Sequence, residues 1–92
     1  MRGPAPPAHV GAAVTGRHYA VVVRRPYGRG HQTLAVGIGR TPAEAQEDAW
    51  AAGAAVPHPA DGPLPDGALV VAVPDAYADA VDLCGPQRWP PP

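Results

Sequence analysis

The sequence predicts an α+β fold, with a small antiparallel sheet of three to four strands and two helices packed on one face of it. In two segments the side chains alternate along the chain, either in size or in polarity, as they do in strands. A third segment is continuously apolar. Two other segments carry apolar residues at helical spacing. The predicted strands are residues 18–25, 33–39 and 68–73, and the predicted helices are residues 42–52 and 75–84.

The first two strands are predicted to form a hairpin. Residues 18–25 alternate and are rich in β-branched side chains, which favour strands. Residues 33–39 place Gly37 and Gly39 on one side, which either permits close approach of another backbone or bends the strand. Residues 25–30 contain one proline and two glycines, so we expect a hairpin loop longer than two residues.

The clearest local signal marks the start of the first helix. Thr41 is a helix-capping residue, Pro42 suits the first helical position, and Glu44 completes a capping box. A stripe of small residues along this helix would allow close packing on the sheet. The predicted inner stripe comprises Ala45, Ala49, Ala52 and Val56.

The second helix is predicted to follow Pro74 and to end before Gly85. Its predicted inner face comprises Tyr77, Ala80, Val81 and Cys84. We therefore expect the Cys84 thiol to be buried, as most free cysteines are. The outer face carries Asp75, Asp79 and Asp82, whose spacing is typical of a solvated helix surface.

Proline and glycine divide the chain into a domain and its flanks. We predict a Pro-rich arm at residues 1–11, one α+β domain at residues 12–85, and a Pro-rich tail at residues 86–92. Residues 57–67 form a Pro-rich loop inside the domain. A weakly signalled strand near residues 11–14 would raise the strand number from three to four.

Composition indicates a cytoplasmic protein. No apolar run approaches the roughly 20 residues of a membrane span. The first ten residues lack the apolar core of a secretory signal, and a single cysteine excludes an intramolecular disulfide. Seven arginines without any lysine, beside many alanines, glycines and prolines, favour a GC-rich bacterial genome as the source.

Charge is unevenly distributed along the chain. Residues 1–40 carry six arginines and no carboxylate, whereas residues 41–92 carry eight carboxylates and one arginine. Such an asymmetry is typical of a basic surface for nucleic acid or for an acidic partner. The alternative is that the two halves interleave in the fold and neutralise each other.

Two segments are candidate binding sites. The hairpin combines charge with an aromatic side chain, which suits phosphates, bases or peptides. The tail has polyproline character, which suits insertion into an aromatic groove. The candidate binding residues are Arg24, Arg25, Tyr27, Arg29 and His31 in the hairpin, and Arg88 and Trp89 in the tail.

The sequence predicts neither a metal site nor a cofactor. The four histidines are too scattered for a ligand set, and the paired glycines do not open a phosphate-binding helix. We predict no catalytic residue. An enzyme using Cys84 or a histidine stays an alternative, although no oxyanion-hole motif accompanies them.

A resemblance to known families covers residues 18–54. The residues that carry it are the strand end Val36-Gly37-Ile38-Gly39-Arg40 and the helix start Thr41-Pro42-Ala43-Glu44-Ala45-Gln46. This run resembles the β-β-α part of double-stranded-RNA-binding domains, and it is also similar to HicB-like antitoxins, which have a Thr-x-x-Glu-Ala helix after a hairpin. The first resemblance implies RNA contacts from lysines at the helix start. This chain has Pro42, Ala43 and Gln46 at those positions, which puts that contact in doubt.

Taken together, these observations predict a non-catalytic binding or accessory protein that acts through protein–protein contacts. We expect its partner to be another protein rather than a membrane, with a homo-oligomer left open. The first alternative is a nucleic-acid-binding module that uses the arginine-rich hairpin. The second is a small enzyme or enzyme subunit.

Overall fold

A computed structural model of the chain describes residues 18–91. The predicted arm at residues 1–11 and the weakly signalled strand near residues 11–14 lie outside these residues. The elements in chain order are β1 (His18–Tyr27), β2 (Gly30–Gly39), α1 (Pro42–Ala51), β3 (Ala68–Val73), α2 (Asp75–Cys84) and β4 (Gln87–Arg88).

The four strands form one antiparallel sheet in the order β3-β1-β2-β4. The predicted α+β class is therefore confirmed, with four strands and two helices. The fourth strand, β4, comes from residues 87–88, inside the segment expected to be a tail. No helix in residues 18–91 is both long enough and apolar enough to cross a membrane.

The two helices lie on opposite faces of the sheet, which corrects the expectation that both pack on one face. Helix α1 buries Ala45 and Ala49 in a cluster with Val21. Helix α2 buries Val81 in a separate cluster with Val22. Because successive residues of a strand point to opposite faces, Val21 and Val22 belong to different layers. The sheet is thus the middle of three layers, and each face has its own small aliphatic core.

Helix α1 begins where the sequence predicts. The Thr41 hydroxyl accepts the N–H of Glu44 at 3.1 Å, and the Glu44 carboxylate accepts the N–H of Arg40 at 3.0 Å. Ala45 and Ala49 are fully buried, whereas Ala52 is exposed at the C-cap and does not join the predicted inner stripe. The helix packs closely on β2 because that strand has glycine where α1 crosses it.

The loop of residues 57–67 is attached to α1 by Gln46, for which the sequence predicts no structural role. Its side-chain amide donates to the carbonyl of Pro57 at 3.0 Å and to that of Gly62 at 2.9 Å. Gln46 is buried, so these bonds satisfy an amide that has lost its water. Two carbonyls of an irregular segment are satisfied in the same way.

The inner face of helix α2 agrees with the predicted one only in part: Val81 is buried and Tyr77 packs against the same cluster, as expected. Ala78 and Val81 are its buried residues, whereas Cys84 is exposed, so the expected burial of its thiol is wrong. The helix ends one residue before Gly85, whose φ of 90° is accessible to glycine at little cost. Leu83 beside Cys84 is 82% exposed, so both side chains face solvent while Val81 of the same turn is buried.

Candidate functional site

Residues 24–33 form a two-stranded ribbon that extends beyond the rest of the sheet; we call it the arginine ribbon. The last paired residue of β3 is Ala68, opposite Val23, and β4 pairs with β2 only at Leu34 and Ala35. Beyond these residues, the two arms of the ribbon pair with each other. Four residue pairs at about 3.4 Å each give a length of roughly 14 Å. All its residues except Gln32 and Thr33 are exposed.

The ribbon ends in a tight turn. Tyr27 pairs with Gly30, which leaves Gly28 and Arg29 as a two-residue loop, so the predicted longer loop is wrong. Gly28 has a φ of 60° and Arg29 does not have a positive φ, the pattern of a type II′ turn. Pro26 is tolerated within β1 because its missing N–H would face the side where β3 has already ended.

The candidate hairpin residues do not form a single patch. Alternation along β1 places Arg24 on the face of the sheet that α2 covers, and Arg25 and Tyr27 on the face that α1 covers. A long contact of 3.4 Å joins the Arg24 guanidinium to Nδ1 of His31 on the same face. Arg29 lies at the tip. The ribbon therefore presents positive charge on both faces and at its end.

These arginines have no carboxylate partner in the part of the chain that the structure describes. The ion pairs found within 4 Å among residues 18–91 join His18 to Asp75 and His58 to Glu47. Within residues 18–91, no arginine forms an ion pair within 4 Å with a carboxylate of the two helices. The ribbon carries three arginines and no carboxylate of its own.

The tail residues lie at the base of the ribbon. The backbone N–H of Trp89 donates to the Thr33 carbonyl at 2.9 Å. The indole ring of Trp89 packs edge-on against the ring of Tyr77, with the ring centroids 5.0 Å apart. Trp89 is half-buried in the cluster beneath α2, so its ring serves the fold of this chain. Arg88 is exposed on β4. Trp89 thus lies next to the ribbon, but its ring packs against other residues of the same chain.

Tyr77 fastens β4 to α2. Its hydroxyl contacts the carbonyls of Arg88 at 2.7 Å and Gln87 at 3.0 Å. Burial raises the pKa of the Tyr77 hydroxyl above its ordinary value, because the phenolate would lose hydration. The group is therefore protonated at neutral pH and acts as a donor to the strand.

An open apolar groove of about 700 Å³ runs between α2 and β4. Its titratable side chains are Tyr77 and Arg88, and its lining is otherwise Leu34, Pro74, Ala76, Ala80, Pro86, Gln87 and Pro91. This groove offers apolar contact rather than acid–base or nucleophilic groups. Within residues 18–91 no three of the His, Cys, Asp and Glu side chains are close enough together to hold a metal ion.

Sequence reasoning placed the ribbon correctly along the chain but missed Thr33 and Tyr77. Thr33 pairs with Arg24 on one side and bonds Trp89 on the other, so it joins the hairpin to the tail. A prediction of a two-residue loop at Gly28 and Arg29 would have placed Thr33 opposite Arg24, because the register of a hairpin follows from its loop length.

Comparisons of the chain with protein-family models, with curated proteins and with solved structures found no match. The similarity of residues 18–54 to double-stranded-RNA-binding domains and HicB-like antitoxins therefore stays a prediction.

Proposed function

We propose that this protein is a non-catalytic accessory protein that binds an acidic segment of another protein through the arginine ribbon. The observation that carries the proposal is the set of three exposed arginines, Arg24, Arg25 and Arg29, that have no carboxylate partner within residues 18–91. A guanidinium recognises a carboxylate by two parallel hydrogen bonds, which are short and charge-assisted. These groups would bind a partner without first giving up an internal ion pair.

The shape of the ribbon supports recognition of a protein. Both of its faces and its tip are open, so it suits insertion into a cleft between two acidic segments. Tyr27 is 66% exposed near the tip. Tyrosine and arginine are enriched among the residues that dominate protein–protein binding energy. The backbone ladder between the arms fixes the positions along the ribbon from which these side chains extend.

The proposal is tested by the binding of a labelled glutamate-rich peptide, followed by fluorescence anisotropy at low and physiological salt. The triple substitution Arg24→Ala, Arg25→Ala and Arg29→Ala is expected to weaken binding by at least about tenfold, since charged interface pairs each contribute of the order of 1 kcal/mol or more. Arg40→Ala is the matched control, because Arg40 is exposed at the opposite end of β2. Equal binding by the triple variant and the control would refute the proposal.

Nucleic acid is the second candidate, favoured by the two-stranded form of the ribbon. A β-ribbon fits the B-DNA major groove, which is about 12 Å wide. Three arginine–phosphate contacts would give a log–log salt slope of about −2.7. Titration of duplex DNA and duplex RNA with the same variants separates the candidates: a nucleic acid that binds more tightly than the acidic peptide, with ribbon-dependent affinity, would replace the first proposal.

A further inference from the structure

The two edges of the sheet differ in how they are covered. Along β2, the N–H of Ile38 that faces away from β1 donates to the Asp48 carboxylate at 2.9 Å, and β4 covers the next part of the strand. Among residues 18–91 no strand pairs with the outer side of β3. Its sequence, Ala-Leu-Val-Val-Ala-Val, contains neither a charged residue nor a proline, the residues that ordinarily protect an exposed edge.

The register identifies the backbone groups that face outward from β3. The Arg24 N–H donates to the Gly67 carbonyl at 3.1 Å, and the β1–β3 register continues without a shift. Hydrogen-bonded pairs alternate with unbonded ones in an antiparallel ladder. The backbone groups of Ala68, Val70 and Ala72 therefore face away from β1, and the N–H of Ala68 is already bonded to the Pro65 carbonyl at 3.2 Å.

We propose that β3 pairs antiparallel with β3 of a second copy of this chain, with Val70 opposite its own symmetry copy. This register matches the three outward-facing residues with one another, because Ala68 then lies opposite Ala72 of the second copy. Leu69 lies opposite Val71 of the second copy. A two-fold axis at Val70 makes the two halves of the interface identical, and each half contains one Leu69–Val71 contact.

Leu69 supplies the apolar contact that the proposed interface needs. It lies on the face of the sheet that α2 covers, opposite Val22, yet it is 54% exposed because α2 packs mainly over β1 and β2. In the proposed pair, Leu69 packs against Val71 of the second copy on the same face. Asp66 lies opposite Pro74 of the second copy, so the strand ends do not set two carboxylates directly opposite each other.

Oligomeric state tests the proposal. Sedimentation equilibrium of the wild-type chain is expected to show reversible association to twice the 9.4 kDa chain mass. Leu69→Lys is expected to raise the dimer dissociation constant by at least about tenfold, since two cross-strand contacts are lost in each dimer. Leu83→Lys makes the same change at an 82% exposed leucine on α2 and is expected to leave association unchanged. A monomeric wild type, or equal effects of the two variants, overturns the proposal.

Crosslinking tests the register independently. In a Cys84→Ser background, Val70→Cys places two thiols on Cα atoms about 5.5 Å apart, within the range of a disulfide. Ala72→Cys is the matched control, because its two copies would lie four residues apart, about 14 Å. With oxidised glutathione, Val70→Cys is expected to form a covalent dimer and Ala72→Cys to stay monomeric. Equal crosslinking of the two variants, or none by Val70→Cys, contradicts the proposed pairing.

Discussion

The backbone of Gly37 in β2 lies so close to Ala49 in α1 that no side chain fits between them. A Cβ atom at Gly37 would collide with the backbone nitrogen and the methyl group of Ala49. The same strand repeats the relationship two residues later, where Gly39 meets Ala45. These contacts fix the distance of α1 from the sheet and thereby allow a core built largely from alanine and valine to close.

Gly37→Ala is therefore expected to destabilise the protein by about 3 kcal/mol or more, because the helix must move away from the sheet. Urea unfolding followed by circular dichroism measures the change. Gly30→Ala is the matched control, because a Cβ there meets nothing within 4 Å and its φ is not positive. A loss of under about 1 kcal/mol in Gly37→Ala would contradict the close packing described here.

Asp48 links α1 to the edge of β2 through the N–H of Ile38. Asp48→Ala should cost about 1 kcal/mol and should accelerate hydrogen exchange of the Ile38 amide, because that N–H loses its acceptor. Glu47→Ala, at the preceding position of the helix, should leave this amide unchanged. Unaltered exchange at Ile38 in Asp48→Ala would show that the carboxylate does not cover this edge.

Gln46 holds the 57–67 loop through two carbonyls. Gln46→Glu replaces the donating amide with an acceptor facing both of them, so we expect a loss of about 2 kcal/mol or more in unfolding free energy. Faster proteolysis within the loop should accompany it. The same chemical change at Gln32, on the ribbon, should alter stability by less than about 0.5 kcal/mol. Similar losses in both variants would argue against the anchoring role.

We expect the protein to lose stability at alkaline pH because of the buried hydroxyl of Tyr77. Burial raises the pKa of its hydroxyl in the folded state. The contribution of the neutral hydroxyl to folding stability is therefore fully present below the unfolded pKa near 10, and it is lost as pH rises through the folded pKa. Tyr77→Phe should lower stability at neutral pH, because the carbonyls of Gln87 and Arg88 lose a donor, and it should flatten this alkaline decline. Urea unfolding from pH 8 to 11 measures both effects; an unchanged alkaline slope in Tyr77→Phe would assign the decline to other groups.

Local signals in the sequence predicted local structure well. The Thr41-Pro42 start of α1 was correct because capping depends on a few neighbouring residues. The predicted side of the sheet for α2 was wrong. Every residue of β3 is apolar, so the sequence of this strand does not distinguish one face of the sheet from the other. The predicted loop of the hairpin was too long because Pro26 was placed in the turn, whereas Pro26 pairs with His31 in a part of β1 that lies beyond β3.

The candidate site was also predicted only in part, because the local sequence does not encode its strand register or its contacts with distant elements. Arginines dense along the chain identified the hairpin, and the structure places them on the exposed ribbon. Their division between two faces follows only from the strand register. Trp89 was expected to serve a partner, but its packing depends on Tyr77, a contact between distant elements that no local pattern encodes.

The location of binding tests the central claim most directly. Titration of the glutamate-rich peptide into isotopically labelled protein, followed by amide chemical shifts, reports which residues meet the ligand. We expect the largest changes in residues 24–33, on both faces of the ribbon, and small changes along α1 and the groove between α2 and β4. Changes concentrated in that groove, or no saturable change at low salt, would contradict the assignment of the arginine ribbon as the binding surface.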